Sequence, residues 1–326
     1  MGASSSFAVL LAAPRGFCAG VERAIRTVEL ALEARPAGDE RPVYVRHEIV
    51  HNRTVVEDLR QRGAVFVEDT DEVPVGATAV FSAHGVSPEV RSAAAWRGLN
   101  VLDATCPLVS RVHAAVLRYV ARGYTILFVG HAGHPEVEGV LGEAPDHVLL
   151  VQSVADAETV QVPDPERVAY ATQTTLSLDD VAAIVRTLRR RFPGMVGPDA
   201  GDVCYATQNR QEAVQALVGD HRADVVLVLG SPNSSNSNRL REVAEQAGAR
   251  AYLLGSAAEL EPGWLEGAAR VGVTAGASTP EHLIEDLLAR LRELGGTEVQ
   301  TVQTRVEDVF FAPPRLASPA VVSRES

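Results

Sequence analysis

The residues best suited to carry out chemistry are the three cysteines, the only ones in the 326-residue chain. Cys18, Cys106 and Cys204 each open a run with the apolar spacing of a helix, and each run is followed by a strand-like segment. Because a helix N-terminus favours a thiolate, we expect the pKa of each thiol to be lowered. Three thiols at matching places in three segments predict ligands that converge on one metal centre.

The number and spacing of the cysteines narrow the kind of centre. Structural zinc sites usually contain CxxC pairs, and the sequence has none. A [4Fe–4S] cluster normally takes four thiolates, so three thiolates would leave one iron open to a substrate oxygen. A zinc ion with three thiolate ligands and an open fourth position is the alternative that the cysteines leave standing.

Histidines form the second group of candidates. His47 in VRHEIVHN, His84 in SAHGVS and His134 in GHAGHPEVEG each follow a predicted strand. A single histidine is most often structural. Three histidines at equivalent strand ends, in a chain that contains no lysine, predict hydrogen-bond donors to an anionic ligand. His51 and His131 are nearby alternatives for the same role.

A third group is rich in hydroxyls and amides. The segment GSPNSSNSNRL (230–240) follows a predicted strand and opens a helix, and TAGAS (274–278) ends the last strand in a similar way. Such a segment presents neutral donors to a phosphate or diphosphate. A polar turn with a helix cap is the alternative. The unbroken run Asn233–Asn238 is longer than a cap requires, so we favour the anion site, with Asn236 and Ser278 as candidates.

The outstanding carboxylate is Glu136, two residues after His134. Beside a metal centre and an anionic ligand its pKa should rise, and a raised pKa suits a proton donor. Taken alone, Glu136 would be an exposed loop residue. Thr174, in TQTTLS, is predicted to hydrogen-bond the same ligand or to relay a proton.

The candidate residues recur together with the same order of predicted helices and strands along the chain. Strands alternate with helices after each cysteine, and polar residues recur at similar distances, so we predict an α/β fold. It should contain three pseudo-repeated small α/β units with mainly parallel sheets around a central cavity, because functional groups gather at the carboxyl ends of parallel strands. The predicted units are residues 7–104, 105–202 and 203–292, with a C-terminal extension over 293–326.

Composition excludes several classes of protein. The formal net charge is −12, which argues against nucleic-acid binding, and the apolar runs are too short to span a membrane. The absence of lysine rules out a lysine Schiff base and a P-loop lysine. Three cysteines without a disulfide framework suit a reducing cytoplasm.

Taken together, the motifs resemble the LytB/IspH family of 4-hydroxy-3-methylbut-2-enyl diphosphate reductases. The resemblance covers residues 9–311. The motifs occur in the family's order, as RGFCAGVERAI, YVRHEIVHN, FSAHGVS, DATCPLV, GHAGHPEVEG, TQTTLS, CYATQNRQEA, GSPNSSNSNRL and GVTAGAS. Gln208 and Pro232 depart from the pattern, at positions where threonine and a basic residue are common.

The resemblance implies a role for each candidate. Glu136 would feed protons to the departing hydroxyl, and Thr174 would orient the substrate. The cluster ligands would be Cys18, Cys106 and Cys204. The diphosphate and substrate contacts would be His47, His84, His134, Ser234, Ser235, Asn236 and Ser278.

The reaction implied by the resemblance is the last step of the methylerythritol phosphate route to isoprenoids. The allylic C4 hydroxyl leaves as water with two electrons and protons, giving isopentenyl and dimethylallyl diphosphate. The cofactor would be a [4Fe–4S] cluster with three cysteine ligands and one open iron, reduced by ferredoxin or flavodoxin. The alternatives are a three-thiolate zinc hydrolase acting on a phosphorylated small molecule, a non-enzymatic sensing module and a structural repeat protein.

Overall fold

The computed structural model describes residues 6–35, 41–198 and 202–315, so residues 316–326 of the predicted extension lie outside it. The described residues form three separate sheets, and every strand pairing in them is parallel. The predicted α/β class with three small parallel sheets is therefore confirmed.

The first sheet has four strands and lies within the first predicted unit. They are β2 (Val43–Arg46), β3 (Ala64–Val67), β4 (Thr78–Phe81) and β5 (Asn100–Asp103). Their order in space is β3-β2-β4-β5. The helices of this part of the chain are α1 (Ala19–Glu33), α2 (Arg53–Gln61) and α3 (Pro88–Trp96).

The second sheet has three strands in the order β7-β6-β8. They are β6 (Thr125–Val129), β7 (Val148–Val151) and β8 (Val168–Thr172). Four helices accompany it, namely α4 (Pro107–Val120), α5 (Pro135–Leu141), α6 (Val154–Thr159) and α7 (Leu178–Arg191). Helix α7 buries Val181, Ile184, Val185 and Leu188, which is the helical spacing of a face packed on a sheet.

The third sheet has five strands, of which two come from the ends of the chain. They are β1 (Phe7–Ala13), β9 (Val225–Leu229), β10 (Arg250–Leu254), β11 (Arg270–Ala275) and β12 (Gly296–Gln303). Their order is β10-β9-β11-β1-β12. The helices are α8 (Tyr205–Gly219), α9 (Ser235–Gln246) and α10 (Glu281–Glu293).

The third sheet differs from the predicted division of the chain. Strand β1 was expected in the first unit, yet it pairs with β11 on one side and β12 on the other. Its sequence FAVLLAA is buried along most of its length, so it needs neighbours on both edges and cover on both faces. The start of the extension, through β12, supplies one of those edges. The segments 7–13 and 296–303 therefore complete the third unit.

The carboxyl ends of the central strands carry the polar loops. The loops after β2, β4, β6, β8, β9 and β11, together with the first turns of the helices α5 and α9, contain the candidate histidines, Glu136, Thr174 and the Ser/Asn segment. Parallel strands end at the same edge of a sheet, so each unit presents its loops together. None of the helices in the described ranges is both long and apolar enough to cross a membrane.

Candidate active site

One cavity is lined by loops from all three units. It contains the three cysteines, Glu136 and the Ser/Asn segment. Of the predicted site residues, those lining it are Cys18, His84, Cys106, His134, Glu136, Thr174, Cys204, Ser234, Ser235, Asn236 and Ser278. The prediction that distant motifs meet around a shared cavity is confirmed for these residues.

Each cysteine occupies the position immediately before a helix. Cys18 is the N-cap of α1, Cys106 that of α4 and Cys204 that of α8, as their spacing predicted. The Sγ of Cys204 accepts from the backbone N–H of Thr207 at 3.4 Å. The side chains of Cys18 and Cys106 make no such capping hydrogen bond. The N-cap places all three thiols at the cavity, because a side chain at that position projects beyond the end of its helix.

The approach of two thiols to helix α1 depends on a glycine. A Cβ atom added to Gly20 would lie 2.7 Å from the Sγ of Cys106 and 3.8 Å from the Sγ of Cys18. Glycine at this position therefore lets the Cys106 sulfur lie close to the backbone of α1, where any side chain would clash with it. A cavity that is lined by three soft sulfur donors fits an iron–sulfur cluster. Among the described residues, no group of three or more histidines, cysteines and acidic side chains is placed to hold a single metal ion.

The protonation of the thiols differs from the sequence-based expectation. Burial raises the pKa of Cys106 to about 12 and that of Cys204 to about 11, and it also raises the pKa of Cys18. The desolvation of a thiolate therefore outweighs the effect of the helix N-terminus, so the predicted lowering of the thiol pKa is wrong. Metal binding then has to displace a proton from each thiol.

Three histidine rings form a cluster beside the cysteines. The ring centroids of His51 and His84 are 4.2 Å apart in a stacked arrangement, and His134 lies 5.4 Å from the first and 5.5 Å from the second. Burial, followed by the neighbouring histidines, lowers the pKa of His134 to about 3 and holds that of His84 well below its usual value. These two rings are therefore neutral at pH 7.

The cluster contains His51 where the sequence analysis expected His47. Strand β2 ends at Arg46, and His47 then adopts a left-handed φ of 55°. This turn leaves the ring of His47 outside the cavity lining, with its Nδ1 3.4 Å from the carboxylate of Glu68. The following loop returns the chain to the cavity at His51. We therefore correct the candidate set by replacing His47 with His51.

Hydrogen bonds orient the cluster histidines toward the cavity. The Nδ1 of His134 accepts from the backbone N–H of Glu136 at 3.1 Å, so the neutral ring carries its proton on Nε2. The Nδ1 of His51 faces the Oε2 of Glu48 at 3.0 Å. Within the described part of the chain, the Nε2 of His51 is buried without a partner, so it is free to meet a ligand.

The Ser/Asn segment serves both as a helix cap and as cavity lining. Ser234 is the N-cap of α9, and its Oγ accepts from the backbone N–H of Ser237 at 3.3 Å. The Oδ1 of Asn236 accepts from the backbone N–H of Ala277 at 2.9 Å, and the hydroxyl of Ser278 donates to the carbonyl of His51 at 2.9 Å. The two readings of this segment are therefore compatible, since the cap holds the donors at the cavity.

Glu136 is almost completely buried, with 1% of its surface exposed. Its Oε1 accepts from the backbone N–H of Thr174 at 2.8 Å, and its Oε2 accepts from the Thr174 hydroxyl at 2.9 Å. Burial, with a smaller contribution from the negative charge of Asp202, raises the pKa of Glu136 to about 7 despite these bonds. The predicted rise is confirmed, and it gives a carboxyl group that can donate or accept a proton near neutrality.

Some lining residues carry no sequence signal strong enough to single them out. Thr175 donates its hydroxyl hydrogen to Ser235 at 3.0 Å, and Thr207 receives a hydrogen bond from the Asn236 amide at 3.3 Å. The positions of Thr175 beside Thr174, and of Thr207 three residues after Cys204, were the available hints. Threonines are common, however, and only the folded cavity distinguishes these two.

The fold and the site define a class of protein. It is an α/β protein of three units with a centre lined by thiols. Beside that centre lie uncharged groups that can donate hydrogen bonds to an anion, and a carboxyl group that can be protonated. The family model described as LytB protein matches residues 9–292. The chain therefore belongs to the LytB family, whose members carry an iron–sulfur cluster.

Individual relatives agree with this assignment. A Bordetella pertussis protein named 4-hydroxy-3-methylbut-2-enyl diphosphate reductase is 56% identical over 318 residues, covering 98% of this chain and 96% of the relative. A protein of the same name from Azoarcus sp. is 56% identical over 307 residues, covering 94% and 96%.

Two solved structures extend the comparison. The E-1-hydroxy-2-methyl-but-2-enyl-4-diphosphate reductase of Plasmodium falciparum superposes with a TM-score of 0.88 at 37% identity, covering 94% of both chains. A second structure is described as that of (E)-4-hydroxy-3-methyl-but-2-enyl diphosphate reductase, the terminal enzyme of the non-mevalonate pathway. It gives a TM-score of 0.60 at 33% identity, covering 88% of this chain and 99% of the other.

Proposed function

We propose that this chain is a 4-hydroxy-3-methylbut-2-enyl diphosphate reductase. The allylic C–O bond breaks, two electrons and two protons are taken up, and water leaves with one of those protons. The other proton is added to the allyl carbon framework, giving isopentenyl or dimethylallyl diphosphate. The observation that carries this proposal is the single cavity that combines three thiols, a carboxyl group with a pKa of about 7 and a set of anion donors.

The cysteines would hold the cofactor. Cys18, Cys106 and Cys204 are assigned as the three ligands of a [4Fe–4S] cluster, with one iron left without a protein ligand. Such a cluster supplies electrons and a Lewis-acidic iron when bound. The soft donor set around one cavity, and the glycine that lets the Cys106 sulfur lie close to α1, support this assignment. Ferredoxin or flavodoxin is the proposed electron donor.

The diphosphate would be bound mainly by neutral groups. His51, His84 and His134 line one side of the cavity, and Ser234, Ser235, Asn236 and Ser278 line another. The neutral ring of His134 offers its Nε2–H, and the N-terminus of α9 offers its first backbone N–H groups. Partly enclosed donors of this kind stabilise negative charge more strongly than the same groups in water.

Glu136 would supply the proton for the departing hydroxyl. At pH 7 its raised pKa keeps a large fraction of the carboxyl groups protonated, although nearly all solvent-exposed glutamates are ionised at this pH. Thr174 fixes both carboxyl oxygens and so sets the direction of proton transfer. The loops of three units surround the cavity, and they limit the access of water to the reacting carbon atoms.

A pH profile tests the proton donor. We expect kcat at saturating substrate to fall as the pH rises through and above about 7, because the acid must be protonated to donate. Thr174→Val removes a hydrogen bond that lowers the pKa of Glu136, so this variant should shift the fall in kcat to higher pH. A fall in kcat at the same pH in both proteins would assign it to another group.

The corrected histidine assignment predicts a contrast between two neighbouring residues. His51→Asn should raise KM for the diphosphate substrate about 10- to 100-fold, since a hydrogen bond to a charged group contributes ~1.5–3 kcal/mol. His47→Asn is the matched control, because asparagine tolerates the left-handed backbone at this position. Its KM should stay within about twofold of the unsubstituted enzyme, because the His47 ring does not line the cavity. The reverse pattern would restore the original assignment of His47.

Anaerobic purification with iron, sulfide and zinc analysis tests the whole proposal. We expect iron and sulfide in the active protein, and turnover of the allylic diphosphate with reduced methyl viologen. A colourless, zinc-replete, active protein would instead support the three-thiolate zinc hydrolase. Comparing reduced ferredoxin with reduced flavodoxin as the donor then tests the proposed partners.

A further inference from the structure

Arg210 is the largest fully buried side chain in the described part of the chain, with 0% of its surface exposed. Its Nε and Nη2 donate to the carbonyl of Gly16 at 3.1 and 2.8 Å, and Nη2 also reaches the carbonyl of Phe17 at 3.3 Å. Its Nη1 donates to the carbonyl of Ala206 at 2.9 Å and to the Oε1 of Glu307 at 2.9 Å. The guanidinium is therefore fully engaged inside the protein.

These bonds connect two of the cysteine-bearing segments. Gly16 and Phe17 immediately precede Cys18, while Arg210 lies in helix α8, which begins after Cys204. A single side chain thus sets the distance between the first loop and the third helix of the thiol centre. Gly16 itself has a left-handed φ of 64°, a conformation that few residues other than glycine adopt. The hydrogen bonds from Arg210 hold the loop in this conformation.

The same side chain places a positive charge next to the thiol centre. Arg210 donates to the carbonyls of Gly16 and Phe17, the two residues that precede Cys18, and the Glu307 carboxylate lies against the guanidinium with the opposite charge. A buried ion pair of this kind is often no more stable than an apolar pair of the same size, so stability alone does not account for it. An unpaired guanidinium at this depth would be strongly destabilising, which explains why Glu307 is needed.

Glu307 comes from the segment after β12. The backbone N–H of Thr304 donates to the carbonyl of Ala13 at 2.9 Å, which anchors this segment to the end of β1. The amide of Asn209 donates to the Oε1 of Glu307 at 3.0 Å, so α8 holds the carboxylate from a second position. The beginning of the C-terminal extension is therefore part of the wall behind the cysteine centre.

We infer that Arg210 is a positioning residue for the iron–sulfur cluster and also tunes its charge, and that Glu307 holds and partly neutralises it. The inference rests on the proposed function, since it requires a cluster on the three cysteines. The arginine stabilises the more negative, reduced form of the cluster, and the glutamate opposes this effect. The two residues therefore influence the reduction potential in opposite directions.

The test is a redox titration of anaerobically purified holoprotein. Arg210→Gln should shift the midpoint potential of the cluster to a more negative value and speed the loss of iron to a chelator about 10-fold, as other outer-sphere substitutions do. Glu307→Gln should shift the potential to a more positive value, because the arginine charge is no longer balanced. Arg210→Lys keeps the charge and loses the forked geometry, so it should lose iron faster at a nearly unchanged potential.

The matched control is Arg305→Gln, which removes an exposed pair with Glu212 in the same segment and should change neither quantity. Potentials that move in the same direction, or remain unchanged, in the Arg210→Gln and Glu307→Gln variants would overturn the inference. Purified wild-type protein that contains no iron and sulfide would overturn the proposed function itself. Failure of the inference about Arg210 and Glu307 and failure of the proposed function can therefore be distinguished with the same protein preparation.

Discussion

Replacing Glu136 with glutamine is expected to lower kcat by about 10²- to 10⁴-fold, the usual contribution of a positioned general acid. The glutamine oxygen can still accept from the Thr174 backbone, and its amide can donate to the Thr174 hydroxyl. The site should therefore keep its shape, its cluster and its affinity for the diphosphate, and lose only the transferable proton. The measurement is kcat and KM with reduced methyl viologen, alongside the iron and sulfide content.

Glu138→Gln is the control for this substitution. Glu138 lies on the same short helix, two residues further on, and is exposed. It should leave kcat within about twofold of the unsubstituted value, as for most surface changes. Undiminished turnover in Glu136→Gln would remove Glu136 from the acid role, while loss of iron in that variant would show that its effect is structural.

The second large effect is expected from the cysteines. Cys18→Ser or Cys106→Ser should lower iron and sulfide retention by more than ~100-fold, because losing a direct ligand exceeds the 10- to 100-fold cost of losing an outer partner. Turnover should disappear with the cluster. Neither thiol makes a side-chain cap bond, and serine is a better N-cap, so the metal-free variants should unfold at the same or a higher temperature than the metal-free parent.

A cap without a ligand role should behave in the opposite way. Ser153 caps α6 by accepting from the backbone N–H of Asp156 at 3.1 Å. Ser153→Ala should lower the free energy of unfolding by ~1 kcal/mol and leave the iron content unchanged. If the cysteine variants also lost stability and kept their iron, the thiols would be structural and the cluster assignment would fail.

The local features of this protein follow from short stretches of sequence. Apolar spacing predicts the helices that begin after Cys18, Cys106 and Cys204, and the structure places each cysteine at the N-cap. Polar residues after strand-like runs predict the loops that line the cavity. These signals act over a few residues, because helix periodicity and capping depend on neighbours within one or two turns.

Patterns of this short range could not predict which strands pair with β1. An apolar strand at the start of the chain can join any sheet with an open edge, and only long-range packing selects the position between β11 and β12. The same is true of the ion pair between Arg210 and Glu307, residues separated by most of the third unit. Nothing near either residue in the sequence indicates the other.

The sequence by itself determined the parallel α/β units, the helices that follow the cysteines and most of the residues that line the cavity. Tertiary structure decided between His47 and His51, because one left-handed residue reverses which side chain of the loop faces inward. It also decided the protonation of the thiols and of Glu136, since desolvation depends on how many distant groups surround a charge. Spacing places side chains on elements, but burial is a property of the whole fold.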